Sequence, residues 1–226
     1  MTVNRTQSDK PPIETWVFDL DNTLYPATLS LFPQIDVRMR RFIAERLKMS
    51  EAEAHALQKR FYHEFGTTLR GLMLVHDIEP DVFLDYVHDV DHRVLTPDPR
   101  LDRALKALEG RKLIFTNGTE SHAAKVLDRL GLAHHFEAVF DIRAALYLPK
   151  PDPETYQRMV DRHAIQAPRA AMVEDIARNL KPAADLGMTT VWVRPPVPEF
   201  EHDTDTAHVD HVIEDLAAWL AARGHS

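Results

Sequence analysis

The sequence contains no cysteine and only 7 glycines among 226 residues. The absence of cysteine excludes disulfides and thiolate zinc sites, and it suits a chain kept in a reducing compartment. Positive charge is also scarce, because 27 lysines and arginines face 35 aspartates and glutamates, which gives a formal net charge of -8. We therefore expect no nucleic-acid partner, since binding through a basic surface requires the opposite balance.

Long apolar runs are absent as well. No stretch approaches the ~20 apolar residues of a membrane-spanning helix, and residues 1–12 are polar and lack the apolar core of a secretory signal. We expect a cytoplasmic chain with no membrane partner, either a monomer or a homodimer. The 44% of hydrophobic residues are enough for a substantial core. The length suits one large domain, or a core domain with a smaller insertion.

Residues 29–95 show helical patterns and no strand pattern. Apolar residues at helical spacing, such as Ile35, Phe42 and Ile43, predict a helix over 31–48. Ser50 to Glu53 form a capping box that begins a second helix, which runs to about residue 64. Further helices are predicted to begin near residues 67 and 80. The pattern indicates a helical unit inserted after the first strand.

The rest of the chain alternates between strands and helices. Strands are predicted over 16–18, 112–115, 138–140, 170–173, 190–193 and 209–213, and helices over 101–109, 120–130, 153–163, 176–186 and 214–222. This alternation is typical of an α/β fold, a doubly wound parallel sheet with right-handed crossovers.

Two aspartates stand at the end of the first predicted strand. The apolar residues Trp16 to Phe18 run directly into Asp19 and Asp21, and Pro26 confirms that the strand has ended. Ligands of open α/β sheets lie at the carboxyl ends of the strands. Two neighbouring carboxylates repel each other unless a cation holds them, which indicates a divalent metal. A turn in which the carboxylates cap backbone amides is the ordinary alternative.

Three further segments carry polar residues where strands of the predicted sheet end. They are Thr116, Asn117 and Gly118, then Lys150 between two prolines, then Glu174 and Asp175. A hydroxyl, an amide and a glycine that lets backbone amides approach an anion are suited to phosphate oxygens. Taken alone, Thr116 is better explained by a turn and Lys150 by a surface lysine, and the acids at 174 and 175 are compatible with a helix cap. Their joint occurrence favours one shared site.

The chemistry of these residues suits a phosphate ester. Asp19 and Asp175 offer the hard oxygen ligands that Mg²⁺ prefers. Lys150 offers a compact positive charge for a phosphate oxygen and for the carboxylate of a nucleophile. An aspartate can attack phosphorus to form an aspartyl-phosphate, which water then hydrolyses. Asp21 is placed to protonate the leaving oxygen and then to activate the water.

These segments resemble, in the same order, the four motifs of the haloacid dehalogenase-like (HAD) hydrolase superfamily. The matching residues are Asp19 to Thr23, Thr116 to Gly118, Lys150-Pro151 and Glu174-Asp175. The resemblance implies a Rossmann-like core, and the helical unit is similar to the type 1 cap of that superfamily. We therefore expect a core domain of residues 1–28 and 96–226, and an all-helical cap domain of residues 29–95 that closes over the substrate.

The same resemblance implies a role for each residue of the site. The expected catalytic residues are Asp19 (nucleophile), Asp21 (general acid and base) and Lys150; the phosphate ligands are Thr116, Asn117 and Gly118; the Mg²⁺ ligands are Asp19, the backbone carbonyl of Asp21, and Asp175, with Glu174 behind them. Members that dehalogenate lack an acid at the position of Asp21, whereas phosphatases and phosphomutases have one. The implied function is a phosphomonoester hydrolase.

The substrate is expected to be selected by the cap, because the phosphate site is generic. The segments Asn22 to Pro26 and Phe65 to Leu72 resemble the pyrimidine 5'-nucleotidase branch. We therefore expect a small phosphorylated metabolite, a nucleoside 5'-monophosphate such as UMP or CMP. Gly66, Thr67 and Thr68 would meet its base or ribose, although a glycine helix stop followed by threonines that begin the next helix is equally compatible.

Three alternatives stay open. A β-phosphoglucomutase-like phosphomutase would need a second phosphate site in the cap, and none is evident. A phosphoglycolate or sugar-phosphate phosphatase would use the same core residues. A haloacid dehalogenase or a non-catalytic nucleotide-binding protein is disfavoured, because the acid at Asp21 and every other acid and the lysine of the motifs are present. The histidines and aspartates between residues 202 and 211 lack zinc-type spacing and indicate a solvated loop.

Overall fold

A computed structural model describes residues 10–195 and 205–223 of the chain. Its six strands are β1 (Thr15–Phe18), β2 (Arg111–Phe115), β3 (Ala138–Phe140), β4 (Ala170–Glu174), β5 (Thr189–Val193) and β6 (His211–Ile213). They form a single sheet in the order β3-β2-β1-β4-β5-β6, and every neighbouring pair is parallel. The predicted α/β fold, with a Rossmann-like parallel sheet, is confirmed.

Strand β1 lies at the centre of this sheet. Its four residues are all buried, and Phe18 is in register with Ile114 of β2 on one side and Val173 of β4 on the other. Side chains alternate between the two faces of a strand. Trp16 and Phe18 therefore join one apolar cluster, while Val17 joins the other.

Helices cover both faces of the sheet. They are α5 (Pro99–Ala107), α6 (Glu120–Leu130) and α9 (Leu216–Ala221) on the face of Trp16, and α7 (Pro153–Arg162) and α8 (Lys181–Asp185) on the face of Val17. Most of these helices begin at a side-chain cap. Thr119, Asp152 and Asp215 each accept a hydrogen bond from a backbone N–H of the first turn.

Four α-helices and two short 3-10 helices, Ala27–Leu29 and His92–Val94, separate β1 from α5. The α-helices are α1 (Leu31–Leu47), α2 (Glu51–Phe65), α3 (Thr68–His76) and α4 (Pro80–Val87), here called the helical insertion, and residues 29–95 contain no strand. The predicted capping box of Ser50 and Glu53 is present. The insertion has its own apolar cluster, which includes Phe42, Phe61 and Phe83 and which Ile142 of the core joins.

Two predicted helices are shorter than expected. The helix over 176–186 is replaced by a 3-10 turn, Ala177–Leu180, followed by the short α8. Pro182 stands in the first turn of α8, where its missing N–H costs no hydrogen bond. The last helix begins at Leu216 rather than at residue 214, because Asp215 is extended and caps it. Of the predicted loop over 202–211, residues 202–204 lie outside the described residues.

No helix within the described residues combines the length and the apolarity needed to cross a membrane.

Candidate active site

A cavity of about 980 Å³ lies at the carboxyl ends of the central strands. It is lined by all the predicted site residues, namely Asp19, Asp21, Thr116, Asn117, Gly118, Lys150, Glu174 and Asp175 from the core and Gly66, Thr67 and Thr68 from the helical insertion. Parallel strands end at the same edge of a sheet, so residues distant in sequence converge there. The structure therefore brings the sequence-derived set together in one place.

Lys150 is the central cation of the cavity. Its side chain is 1% exposed, and its Nζ donates to Asp19 Oδ1 at 2.6 Å, to Glu174 Oε2 at 2.7 Å and to the carbonyl of Phe115 at 2.9 Å. Burial alone would lower the pKa of Lys150, but the charges of the two carboxylates raise it above its usual range. The lysine is therefore cationic, and all three of its N–H donors are used.

Three carboxylates crowd around this lysine. One oxygen from each of Asp19, Glu174 and Asp175 lies within 4.8 Å of the others. Burial first, and then the charge of Glu174, raise the pKa of both Asp19 and Asp175. A single lysine does not balance three carboxylates. The cluster of hard oxygen donors therefore fits a divalent cation such as Mg²⁺.

Glu174 has partners for both carboxylate oxygens. Oε2 accepts from Lys150, and Oε1 accepts from the backbone N–H of Ile176 at 3.2 Å. Both residues line the cavity, but Asp175 is half-buried whereas Glu174 is only 1% exposed. This geometry favours Asp175 as the metal ligand and Glu174 as the residue that holds Lys150.

Asp19 is held at both carboxylate oxygens. Oδ1 accepts from Lys150, and Oδ2 accepts from the hydroxyl of Thr23 at 2.9 Å. Thr23 reaches back because the chain turns at Asn22, whose φ of 64° lies in the left-handed region that asparagine tolerates. The turn after β1 thus orients the aspartate that the sequence marks as the nucleophile.

Asp21 has two partners that the sequence analysis missed. Its Oδ1 accepts from the hydroxyl of Tyr25 at 2.6 Å and lies 3.0 Å from Nε2 of His122, a fully buried side chain. Burial alone would raise the pKa of Asp21, but the charge and hydrogen bond of His122 lower it to about 2. The available signal was the position of His122 in the first turn of α6, directly after the Thr116 to Gly118 segment.

The helical insertion reaches the core at this histidine. His88, which follows α4, stacks on His122 with ring centroids 4.4 Å apart, and its Nδ1 lies 3.3 Å from the hydroxyl of Thr119. Burial lowers the pKa of His88 to about 3. His88 is therefore neutral near physiological pH and serves as a packing contact between the insertion and the core.

The segment after β2 forms a small loop of hydrogen bonds. Thr116 Oγ1 accepts from the backbone N–H of Gly118 at 2.9 Å. Asn117 Oδ1 accepts from the backbone N–H of Lys150 at 2.8 Å, so the asparagine holds the lysine segment in place. The backbone N–H of Thr116 donates to the carbonyl of Phe140 at 3.1 Å. The hydroxyl hydrogen of Thr116 and the backbone N–H of Asn117 are therefore left as the donors suited to phosphate oxygens.

The three predicted residues of the helical insertion have structural contacts as well. Thr67 Oγ1 caps α3 by accepting from the backbone N–H of Arg70, and Thr68 Oγ1 donates to the carbonyl of Gln58. Gly66 has a φ of 83°, and a Cβ there would lie 3.9 Å from Pro149. Thr67 thus caps α3, whereas the hydroxyl of Thr68 links α3 to α2, and Gly66, Thr67 and Thr68 all line the cavity.

Arg178 and Tyr62 were not singled out from the sequence. Both line the cavity, and the guanidinium carbon of Arg178 lies 4.6 Å from the centroid of the Tyr62 ring. Arg100 and Arg194 also line the cavity, but each forms ion pairs with carboxylates. Within the described residues Arg178 forms no ion pair with a carboxylate.

Comparisons with known proteins identify the family and the fold. A family model described as haloacid dehalogenase-like hydrolase matches residues 13–187. Phosphate metabolism protein 8 of Saccharomyces cerevisiae is 25% identical over 91% of this chain, which spans 63% of that relative's length. Phosphoglycolate phosphatase of Mesorhizobium japonicum is 27% identical over 92% of this chain and 97% of its own.

Two solved structures share the fold. The HAD phosphatase of Thermococcus onnurineus superposes with a TM-score of 0.64 at 19% identity, covering 94% of this chain and 98% of its own. L-2-haloacid dehalogenase from Xanthobacter autotrophicus superposes with a TM-score of 0.61 at 17% identity, covering 95% of this chain and 100% of its own. At such identities the likeness concerns the fold and leaves the reaction to the residues of the site.

Proposed function

Because the chain belongs to the haloacid dehalogenase-like hydrolases, we propose that it is a Mg²⁺-dependent phosphomonoester hydrolase that forms an aspartyl-phosphate on Asp19. The observation that carries this proposal is the buried contact of Lys150 with both Asp19 and Glu174, beside an Asp21 that is separately held. This arrangement separates a nucleophile from a proton-transfer group. The phosphatase relatives support the same reaction class.

The reaction takes place in two displacements. A carboxylate oxygen of Asp19 bonds to phosphorus, and the bond from phosphorus to the ester oxygen breaks. A proton from Asp21 goes to the leaving oxygen. Water then attacks the phosphorus of the aspartyl-phosphate, Asp21 takes up the proton of that water, and the bond to Asp19 breaks to release inorganic phosphate.

The protonation state of Asp21 depends on whether the substrate is bound. With a pKa of about 2, Asp21 is ionised in the free protein. A phosphate dianion beside it raises that pKa by charge repulsion, which favours the protonated form of Asp21 that the first displacement needs. Lys150 remains cationic throughout and stabilises the charge that builds up on the phosphoryl oxygens.

The donor set of the cavity suits Mg²⁺. Asp19 and Asp175 would hold the ion together with the backbone carbonyl of Asp21. When bound, the ion neutralises phosphoryl charge in the transition state.

Release of inorganic phosphate tests the proposal directly. The wild type is assayed against nucleotides, sugar phosphates and phosphoglycolate, with Mg²⁺ and with EDTA, and we expect Asp19→Asn to lose phosphate release with every ester. Asp128→Asn is the matched control, because Asp128 is exposed on α6 outside the cavity. Wild-type turnover by Asp19→Asn, or full activity in EDTA, would contradict the proposed mechanism.

We further propose that the substrate is a nucleoside 5'-monophosphate of the pyrimidine series, selected by the helical insertion as a cap. The resemblance of the segments 22–26 and 65–72 to pyrimidine 5'-nucleotidases supports this proposal. The cavity of about 980 Å³ has room for more than a phosphate. Tyr62 offers a ring face and Arg178 offers N–H donors for the carbonyl oxygens of a base.

Phosphoglycolate is the second candidate substrate. It is favoured by the relative of that name and by Arg178, whose guanidinium has no carboxylate ion pair among the described residues and could bind the carboxylate of a small substrate bidentately. Comparing kcat/KM for UMP, CMP and phosphoglycolate separates the two. If phosphoglycolate is the substrate, we expect Arg178→Gln to lower kcat/KM for phosphoglycolate far more than for UMP. If UMP is the substrate, we expect the larger decrease for UMP.

A further inference from the structure

The carboxylate of Asp21 is held asymmetrically. Tyr25 and His122 both contact Oδ1, at 2.6 Å and 3.0 Å. Oδ2 has no hydrogen-bond partner among the described residues. Two contacts on one oxygen fix the rotation of the carboxylate about its bond to the chain, and they leave the second oxygen for proton exchange.

His122 is itself firmly placed. Its side chain has 0% exposure, and its backbone N–H donates to the cap residue Thr119. The ring of His88 stacks on one face, and the ring of His92 lies 5.5 Å away. Gly118 lies so close that a Cβ there would be 3.2 Å from Cδ2 of His122. The ring is therefore confined on several sides, as a rigid support must be.

The position of His122 excludes direct contact with the substrate. The residue does not line the cavity, and its other ring nitrogen, Nδ1, is buried without a hydrogen-bond partner. A histidine in this position cannot bind the phosphate or reach the leaving oxygen. Its only polar side-chain contact among the described residues is with Asp21.

We propose that His122 is a positioning residue, which together with Tyr25 fixes Oδ1 of Asp21 so that Oδ2 exchanges the proton with the leaving oxygen and with water. This inference rests on the proposed function, because it assigns a support to the proton-transfer group of that reaction. It explains why a fully buried histidine and a tyrosine meet on one carboxylate oxygen.

The leaving group of the ester provides the test. 4-Nitrophenyl phosphate leaves without a proton, whereas an alkyl ester needs one, so loss of the general acid harms the alkyl ester selectively. Because kcat/KM reports the first displacement, we compare it for 4-nitrophenyl phosphate and for the best alkyl ester among UMP, CMP and phosphoglycolate. We expect His122→Leu to lower the alkyl value by about 10- to 100-fold and the nitrophenyl value by no more than about 3-fold.

Two further variants separate positioning from simple damage to the fold. His122→Gln retains an N–H donor near the place of Nε2, and it should restore most of the alkyl activity lost in His122→Leu. Tyr25→Phe removes the other contact without leaving a cavity, and it should show the same selectivity to a smaller degree. Tyr25→Phe also keeps the inference falsifiable if His122→Leu does not fold.

A matched control exists outside the cavity. His135 is also nearly buried and lies 2.8 Å from an aspartate, Asp102, through Nε2, but it does not line the cavity. His135→Leu should lower thermal stability while leaving the ratio of the two kcat/KM values unchanged.

The outcomes are distinguishable. If no ester releases phosphate with the wild type, the proposed function itself fails. If the wild type is active but Asp21→Asn affects both esters equally, the proton-transfer role of Asp21 fails, and the positioning role of His122 fails with it. If Asp21→Asn is selective and His122→Leu and Tyr25→Phe affect both esters equally, only the positioning role is overturned. Selective loss in both variants, with recovery in His122→Gln, supports it.

Discussion

Lys150 is a fully enclosed amine whose charge holds two carboxylates together. Its contacts with Asp19 and Glu174 cross 131 and 24 residues of sequence. Replacing a single partner of a buried ion pair leaves the remaining charges uncompensated, which costs about 3–5 kcal/mol. The charged side chains of the site therefore contribute to the stability of the fold as well as to the reaction.

Lys150→Met should therefore reduce stability by about 3–5 kcal/mol at neutral pH, in addition to abolishing activity. The pKa of Asp19 is already raised, and it rises further without the lysine. A carboxyl group whose pKa is higher in the folded chain than in the unfolded chain makes the folded state less stable as pH rises above the unfolded pKa. The difference in the free energy of unfolding between the wild type and Lys150→Met should therefore grow from pH 5.5 to pH 8. Urea unfolding in EDTA at both pH values measures this. The control variant Lys181→Met, at an exposed position, should lose little stability at either pH.

His88 gives a second pH-dependent effect, of the opposite sign. Its folded-state pKa of about 3 lies below the usual value of 6.5. The unfolded chain therefore binds a proton that the folded chain refuses, and stability falls as pH falls from above 6.5 towards 3. The charges that act on it besides burial come from His122, Asp21, Arg143 and His92.

His88→Gln should remove this part of the pH dependence. Linkage gives about 2 kcal/mol as the share of His88 in the stability lost between pH 7.5 and pH 5. The variant should thus lose about 2 kcal/mol less than the wild type over that interval, as measured by urea unfolding at each pH. An equal loss in both proteins would show that His88 is not neutral in the folded state.

The site residues in motifs at strand ends were predictable from the sequence, whereas the histidines beside Asp21 were not. Asp19, Lys150 and Asp175 follow buried strands or lie in distinctive short motifs, and such positions converge by the geometry of a parallel sheet. His122 lies in the first turn of α6 and His88 directly follows α4, and their positions in the sequence do not say which side chain reaches Asp21. Their meeting depends on how α6 packs and where the helical insertion closes on the core.

The helices of the insertion depend on close packing between neighbours. Gly71 of α3 faces Phe61 of α2, and a Cβ on Gly71 would lie 2.3 Å from Cγ of that ring. Such a distance forces a shift of the ring or of the helix. Alanine is normally favoured over glycine inside a helix by about 1 kcal/mol, so this position tests which effect dominates.

Gly71→Ala should destabilise the protein by about 1–3 kcal/mol in spite of its better helix propensity, because overpacking a fixed interface costs that much. Val75→Ala in the same helix is the control, since Val75 is 52% exposed. It should change the free energy of unfolding by less than about 0.5 kcal/mol. A stabilised Gly71→Ala would mean that the two helices separate easily.

Element boundaries were predictable where a cap is written in the sequence. Ser50, Asp152 and Gly131 mark helix ends that the structure confirms. The segment 176–186 was not predictable, because its apolar spacing suits a continuous helix while the structure has a 3-10 turn followed by α8. The way α1 to α4 pack on one another also has no local signature.

At the scale of the whole molecule, the cavity lies between the helical insertion and the core. Residues from both line it. The alternation of strands and helices predicted the parallel sheet, but not the order of the outer strands, which depends on the direction in which each crossover leaves the sheet. The domain boundaries at residues 28/29 and 95/96, the cytoplasmic location and the oligomeric state stay predictions.

Mg²⁺ should stabilise the whole fold. The crowded carboxylates of Asp19, Glu174 and Asp175 repel one another, and a cation that binds only the folded chain adds about 2.7 kcal/mol at 100 times its Kd. We expect the Tm to rise when excess Mg²⁺ replaces EDTA, and the shift to be lost in Asp175→Asn. Asp128→Asn should keep it. An unchanged Tm for the wild type at every Mg²⁺ concentration would exclude binding at this cluster.

The central place of β1 also matters while the protein is being synthesised. The strand is synthesised before both of its neighbours, because β2 and β4 begin only at Arg111 and Ala170. A nascent chain therefore carries an apolar strand with two unpaired edges until β2 has been translated, and with one unpaired edge until β4 has been translated. Such an edge is a template for association with other chains. Ribosome-associated chaperones are thus expected to matter more for this topology than for one in which the first strand pairs with the second at once.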